Sequence, residues 1–159
     1  GEDWTDMKTF VQRARGADAA LVLRPQARDA ILKARRAGVT LAILSNELDL
    51  FYGVDFRKRF PLIDLFDVIV DATYTKILKP DPRAYLAVAA LHSAGECFVY
   101  IGDNPAKDFF APNALGWQTV MIRDRGRNIH PQTPVPSRLH AAGHVADTLC
   151  DALSLIGFK

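Results

Sequence analysis

The chain has 159 residues, 49% hydrophobic and 24% charged, which suffices for one domain with a sizeable core. Its formal net charge of +2 is too small to point to nucleic acid or a membrane surface. No apolar run nears membrane-spanning length and no signal-peptide pattern opens the chain. The two cysteines, Cys97 and Cys150, make neither a disulfide framework nor a metal-type spacing, so a reducing, cytoplasmic setting is expected. Gly1 fits a residue left by tag removal, with residue 2 the first of a cut chain.

Residues 1–18 fit an amphipathic helix, with Trp4, Met7 or Lys8, and Val11 along one side, loosely attached to the rest. "ALVLR" (Ala20–Arg24) is strand-like. "PQARDAILKARRAG" carries Pro25 at a helix start, Gly38 at its end, and Ala27, Ile31 and Ala34 on one face. "VTLAIL" (Val39–Leu44) is a short run rich in branched residues, as are "FDVIV" (Phe66–Val70), "CFVYI" (Cys97–Ile101) and "QTVMI" (Gln118–Ile122). Runs this short, apolar on both faces, predict buried parallel strands, with Cys97 as a small core residue. "FRKRF" reads as a helix end with its charges in water. "DPRAYLAVAALHSAG" predicts a helix from Pro82 to Gly95, and "NPAKDFFAPNALG" another, with Asn104 as cap and Pro105 in the first turn. Arg123–Arg138, rich in Pro and charge, is a surface loop that includes the basic run Arg123, Arg125 and Arg127. His140 and His144 have the spacing of a metal pair on a helix, but Pro136 and Gly143 argue for a loop there. "TLCDALSLI" makes the last helix. Alternating strands and helices imply an α/β fold: a doubly wound parallel, Rossmann-like sheet with helices on both faces.

In such sheets ligands sit beyond the carboxyl ends of the strands. Ser45 and Asn46 follow the first strand; Asp71, then Lys76 and Lys79 of "KILKPDP", follow the second. Gly102, Asp103, Asn104 and Asp108 follow the third, and Arg123 and Asp124 the fourth. A hydroxyl, a cation and a carboxylate pair at one rim suit a phosphate and a divalent cation. Hydroxyl and helix-start N–H groups bond phosphate oxygens, a lysine offsets their charge, and carboxylates are natural Mg²⁺ ligands.

"LAILSNE", "KILKPDP" and "YIGDNPAKD", in that order, resemble motifs two, three and four of the haloacid dehalogenase-like (HAD) hydrolase superfamily. The similarity covers roughly residues 25–124, and three motifs in order on strand ends are more specific than any one alone. The resemblance implies a Mg²⁺-dependent phosphatase acting on a small phosphate ester, through an aspartate that attacks phosphorus and forms an aspartyl-phosphate. It implies that Ser45 bonds a phosphoryl oxygen with Asn46 beside it, and that Lys79 stabilises developing charge. It assigns Asp103 to Mg²⁺ and Asp108 to the support of that site.

The family's first motif, a strand followed by Asp-x-Asp, has no match. Asp3 and Asp6 of "EDWTDM" have the wrong spacing, and "ALVLRP" ends in Arg24-Pro25. The chain is therefore expected to be part of a longer protein, with residues 1–18 the remnant of a helical cap or linker and 19–159 the core domain. Weak or absent Mg²⁺ binding and no turnover are expected of the chain alone. The resemblance implies that the missing strand would lie between those ending at Ser45 and Asp103. The gap would be closed by direct pairing of these two, by Ala20–Arg24, or by a strand from a second molecule through self-association. A response-regulator receiver is excluded by motif order, and a dinucleotide-binding domain by the absence of glycine from "SNELDL". A non-catalytic scaffold or interaction domain remains the alternative.

Overall fold

The structure, a computed structural model, describes residues 11, 13, 15, 16, 18, 23, 24, 26–92, 96–126 and 130–158. The expected helix over 1–18 and the strand-like Ala20–Arg24 thus lie largely outside the described residues, with Trp4, Met7, Lys8, Asp3 and Asp6; residues 11, 13, 15 and 16 are helical.

In chain order the elements are α1 (Ala27–Arg36), β1 (Ala42–Ser45), α2 (Leu48–Tyr52), α3 (Phe56–Arg59), a 3₁₀ turn (Pro61–Leu65), β2 (Val68–Asp71) and α4 (Ala72–Thr75). Then come α5 (Pro82–Ala89), β3 (Val99–Gly102), α6 (Pro105–Asp108), α7 (Phe110–Ala114), β4 (Gln118–Ile122), a 3₁₀ turn (Arg138–His140), β5 (His144–Ala146) and α8 (Leu149–Leu155). Every strand pair is parallel, and the fold is the expected α/β type.

Local chemistry explains where the helices start. Thr148 and Asp151 form a reciprocal capping box at α8. Asn104 accepts from Ala106 N–H at α6, and Asp81 from Arg83 N–H at α5; each is followed by proline in the first turn. Helices cover both faces of the strands because alternate residues face opposite ways. Val99 and Ile101 of β3 pack with Val120, Ile122, Ala146 and Ala152 towards α8. Tyr100, between them, packs with Ala84, Tyr85 and Ala111 towards α5 and α7.

Three expectations need correction. His144 does not sit in a loop but opens the short strand β5, paired with Val120. Cys97 is exposed rather than in the core, because β3 begins only at Val99. Direct pairing of β1 with β3 is not found. Among the described residues the ladder is broken into a two-stranded sheet, β1–β2, and a three-stranded sheet, β3–β4–β5. Leu44 of β1 and Tyr100 of β3 nevertheless cover the same helical surface, against Ala84, Tyr85 and Ala111.

Candidate active site

The carboxyl ends of β1 and β3 open onto a pocket of about 190 Å³. Ser45, Asn46, Lys79, Asp103 and Asp108, the five residues singled out from sequence, all line it, together with Glu47, Tyr52, Asn104, Lys107 and His130 among others. A larger cavity of about 450 Å³, lined by Lys33, Arg36, Ala37, Gly157 and Phe158, lies where α1 and α8 end, at the opposite end of the strands.

Asp108 is the hub. It is 4% exposed, and its Oδ1 accepts from Lys79 Nζ at 2.8 Å and from the Tyr100 hydroxyl at 3.3 Å. Its Oδ2 accepts the backbone N–H groups of Asp103 (3.1 Å) and Asn104 (2.9 Å). A buried carboxylate is tolerable only with such partners. The Gly102 of the "IGD" stretch follows from this arrangement. A Cβ there would meet Asp108 Oδ2 at 2.6 Å and its Cγ at 2.9 Å, so only glycine lets the carboxylate fold back over the strand end. The Tyr85 hydroxyl donates to the carbonyls of Lys107 (2.9 Å) and Asp108 (3.2 Å), pinning α6 from below.

Lys79 is placed from the other sheet. The Asn46 side chain, one residue beyond β1, accepts Lys79 N–H at 2.8 Å and donates to the Lys79 carbonyl at 3.2 Å. Lys79 Nζ then spans to Asp108 and to the Tyr100 hydroxyl, 2.9 Å away. Asn46 thus spends half of its hydrogen-bonding capacity on the backbone that carries the lysine. Ser45 Oγ accepts Glu47 N–H at 3.3 Å, which leaves the hydroxyl proton to donate into the pocket. Burial, reinforced by the nearby Asp108 carboxylate, holds the Tyr100 phenol well above its ordinary pKa, so it remains a donor.

Asp103 is different: its side chain is 41% exposed, and Oδ2 accepts from Arg24 Nη2 at 2.6 Å. Its carbonyl accepts from Gln132 Nε2, which also reaches the Ile122 carbonyl and so ties the long loop to two strand ends. Below the rim, Asp71 accepts Asp49 N–H and Thr73 N–H, fixing the starts of α2 and α4. The buried Asp49 carboxylate takes Arg57 and the Tyr74 hydroxyl.

The sequence reading missed Arg24, Tyr100, Lys107 and His130. Tyr100 reads as one more apolar strand residue, and Arg24 lies 79 positions from Asp103, beyond any local signal. Lys76 is not among the lining residues, and its Nζ donates to the Thr73 carbonyl. His140 stacks near Phe110 and its Nδ1 bonds Ser137 Oγ; no group of three or more potential metal ligands occurs among the described residues. No helix among them is long and apolar enough to cross a membrane.

A parallel α/β fold with a polar pocket at its strand ends defines the class, a Rossmann-like domain. The model of the haloacid dehalogenase-like hydrolase family matches residues 5–116, and the chain belongs to that family. It is 33% identical over 121 residues to a phosphoserine phosphatase of Thermus thermophilus, covering 72% of this chain and 45% of that protein. The chain spans less than half the length of the curated relatives it matches. A crystal structure of a dehalogenase superposes with a TM-score of 0.64 at 28% identity, covering 83% of this chain and 55% of that one. The HAD phosphatase from Thermococcus onnurineus shares the fold, with a TM-score of 0.64 at 22% identity over 86% of this chain and 59% of that one.

Proposed function

We propose that the parent protein is a Mg²⁺-dependent phosphatase-type hydrolase of a small phosphate ester, working through an aspartyl-phosphate, and that this chain holds the phosphate-binding part of its site. In that division residues 19–159 are the core and 1–18 the remnant of a cap or linker, and the protein is cytoplasmic. The observation that carries the reading is the convergence of Ser45, Asn46 and Lys79 from one sheet with Asp103 and Asp108 from the other on one pocket. The phosphatase named among the relatives supports the reaction class.

The roles follow from chemistry. Ser45 donates its hydroxyl to a phosphoryl oxygen. Lys79, partly enclosed at 14% exposure, sets a fixed positive charge where negative charge develops in the transition state, an electrostatic contribution worth about 3 kcal/mol for a single well-placed donor in other enzymes. Asn46 flanks the phosphate with its remaining amide N–H and, chiefly, fixes Lys79. Asp108 holds Lys79 in place and orients the Asp103 backbone.

Mg²⁺ needs near-octahedral oxygen donors, usually one or two carboxylates with waters and phosphate. The residues described do not by themselves fit a closed metal site. Asp108 has both oxygens committed to four donors, and Asp103 has one on Arg24. Asp103 is the carboxylate open to a metal and Asp108 its support, so metal binding by this chain is proposed to be weak, and no step is routed through it. The nucleophile belongs to an Asp-x-Asp segment that this sequence lacks.

The test is turnover of p-nitrophenyl phosphate with Mg²⁺. None is expected from the chain, and turnover is expected from the parent protein. Turnover by the isolated chain that vanishes in Asp103→Ala at unchanged fold would show the nucleophile to be misassigned. An inactive parent would favour a non-catalytic scaffold, a reading that the Arg24–Asp103 pair also suits.

A further inference from the structure

The long loop after β4 brings one of its residues, His130, to the pocket. Lys79 is paired with Asp108 there, and Asp103 with Arg24. The His130 imidazole makes no hydrogen bond or ion pair with the described residues, so its ring N–H is unspent. The loop around it stands in water: of residues 130–139, Gln132 alone is not exposed. The Gln132 amide spends both N–H groups, on the carbonyls of Asp103 (2.9 Å) and Ile122 (2.8 Å), and its oxygen accepts Asp124 N–H at 2.8 Å. The β3–β4 ladder ends with Gly102 opposite Met121. Asp103 and Ile122 are the next residue on each strand, so the Gln132 side chain stands in for the next rung.

We propose that His130 contacts the bound anion, donating a ring N–H to a phosphate oxygen, and that Gln132 is the residue that positions it. The proposal rests on the reading of the pocket as a phosphate site. Pro131 makes the link between the two residues stiff: its ring fixes its own φ and holds the preceding His130 to extended backbone. Two residues span at most about 7 Å, so a seat for Gln132 on the ends of β3 and β4 confines His130 to the same rim. Every form of imidazole in water near neutral pH carries at least one N–H donor, and a donor held in place before the ligand arrives loses less freedom on binding. The seat is made of three hydrogen bonds to backbone rather than of buried apolar surface. Losing it frees a loop that is already solvated, so the cost falls on anion affinity.

Titration of the full 159-residue chain with inorganic phosphate, at constant ionic strength in EDTA and followed by amide and imidazole resonances, tests this. His130→Ala, a change at an exposed position, is expected to weaken binding about fivefold, the scale of one net hydrogen bond. Gln132→Ala is expected to weaken it by the same factor, and the double variant to bind no more weakly than either single one, since coupled residues do not add. Gln132→Glu, which can still accept Asp124 N–H but cannot donate to the two carbonyls, is expected to match Gln132→Ala. Asn113→Ala releases a later part of the loop, at the Leu139 and Ala141 carbonyls, and is expected to leave the affinity unchanged. Wild-type affinity in His130→Ala overturns the contact. Losses that multiply in the double variant, or an equal loss in folded Asn113→Ala, overturn the positioning by Gln132. In both cases the phosphate site itself stands if the wild type binds phosphate; no saturable binding by the wild type removes that reading and this inference with it.

Discussion

The rim of the pocket and the strands beneath it are joined in different ways. Within each sheet, neighbours share backbone ladders, and β4, paired on both sides, buries Thr119, Val120 and Ile122. β3, paired among the described residues with β4 alone, is half-buried throughout. Between the sheets no ladder runs among the described residues. What crosses there is side chain: Asn46 to the Lys79 backbone, and Lys79 to Asp108 and Tyr100. The comparison teaches that the seam of this domain is held at its rim by the same groups that shape the pocket. Loss of a rim group should therefore cost stability as well as binding, unlike the usual functional residue, which can be removed at little structural cost.

Substituting Asp108 breaks the comparison most severely. Asp108→Ala strands a partly enclosed Lys79 and two N–H groups, and the unfolding free energy in urea is expected to fall by about 3 kcal/mol. A fall no larger than that of an exposed ion pair would mean that the two sheets do not depend on this clamp. Gly102→Ala attacks the same clamp from the strand. The new methyl group meets Asp108, and forced repacking of this kind costs about 2 kcal/mol. Near-wild-type stability in Gly102→Ala would show that Asp108 does not fold back over the strand end.

Tyr100→Phe has the smallest effect, about 1 kcal/mol at neutral pH for one lost hydroxyl bond, and it carries a pH signature. The folded-state pKa of Tyr100 lies above its ordinary value of 10.0, so the folded state binds this proton more tightly than the unfolded state. That stabilisation is fully present below about pH 10 and is lost as pH rises through the folded pKa. Thermal unfolding scans should therefore show a shallower alkaline decline in Tyr100→Phe than in the wild type; identical slopes would exclude a Tyr100 contribution.

Much of this was legible in the sequence, and the misses have physical causes. β4 was read with its observed limits, since Gly116 and the Arg123 loop bracket the short run "QTVMI" on both sides. β1, β2 and β3 were each read one to three residues too early. Side-chain pattern marks where a strand is apolar, whereas the ladder runs on through the polar residues Ser45 and Asp71 and through Gly102 at the rim. β5 escaped because three residues, with His144 and Val145 exposed, carry no periodicity. Ser45, Asn46, Asp103 and Asp108 were found because each follows a strand directly or shares a short motif with a residue that does, and Lys79, separated from β2 by α4, was found through the "KILKPDP" motif. Tyr100 was read as packing alone, because nothing in a single strand reveals which hydroxyl will meet an acid eight residues on.

The central claim is that the clamp between the sheets builds an anion pocket, and a titration of the chain with inorganic phosphate, followed by backbone amide shifts, tests it most directly. The account predicts that Ser45, Asn46 and Lys79 shift together with Asp103 and Asn104, one set from each sheet, and that Lys79→Gln abolishes the shifts. Shifts confined to the basic cavity of Lys33, Arg36 and Phe158, or rim shifts that persist in Lys79→Gln, would contradict it.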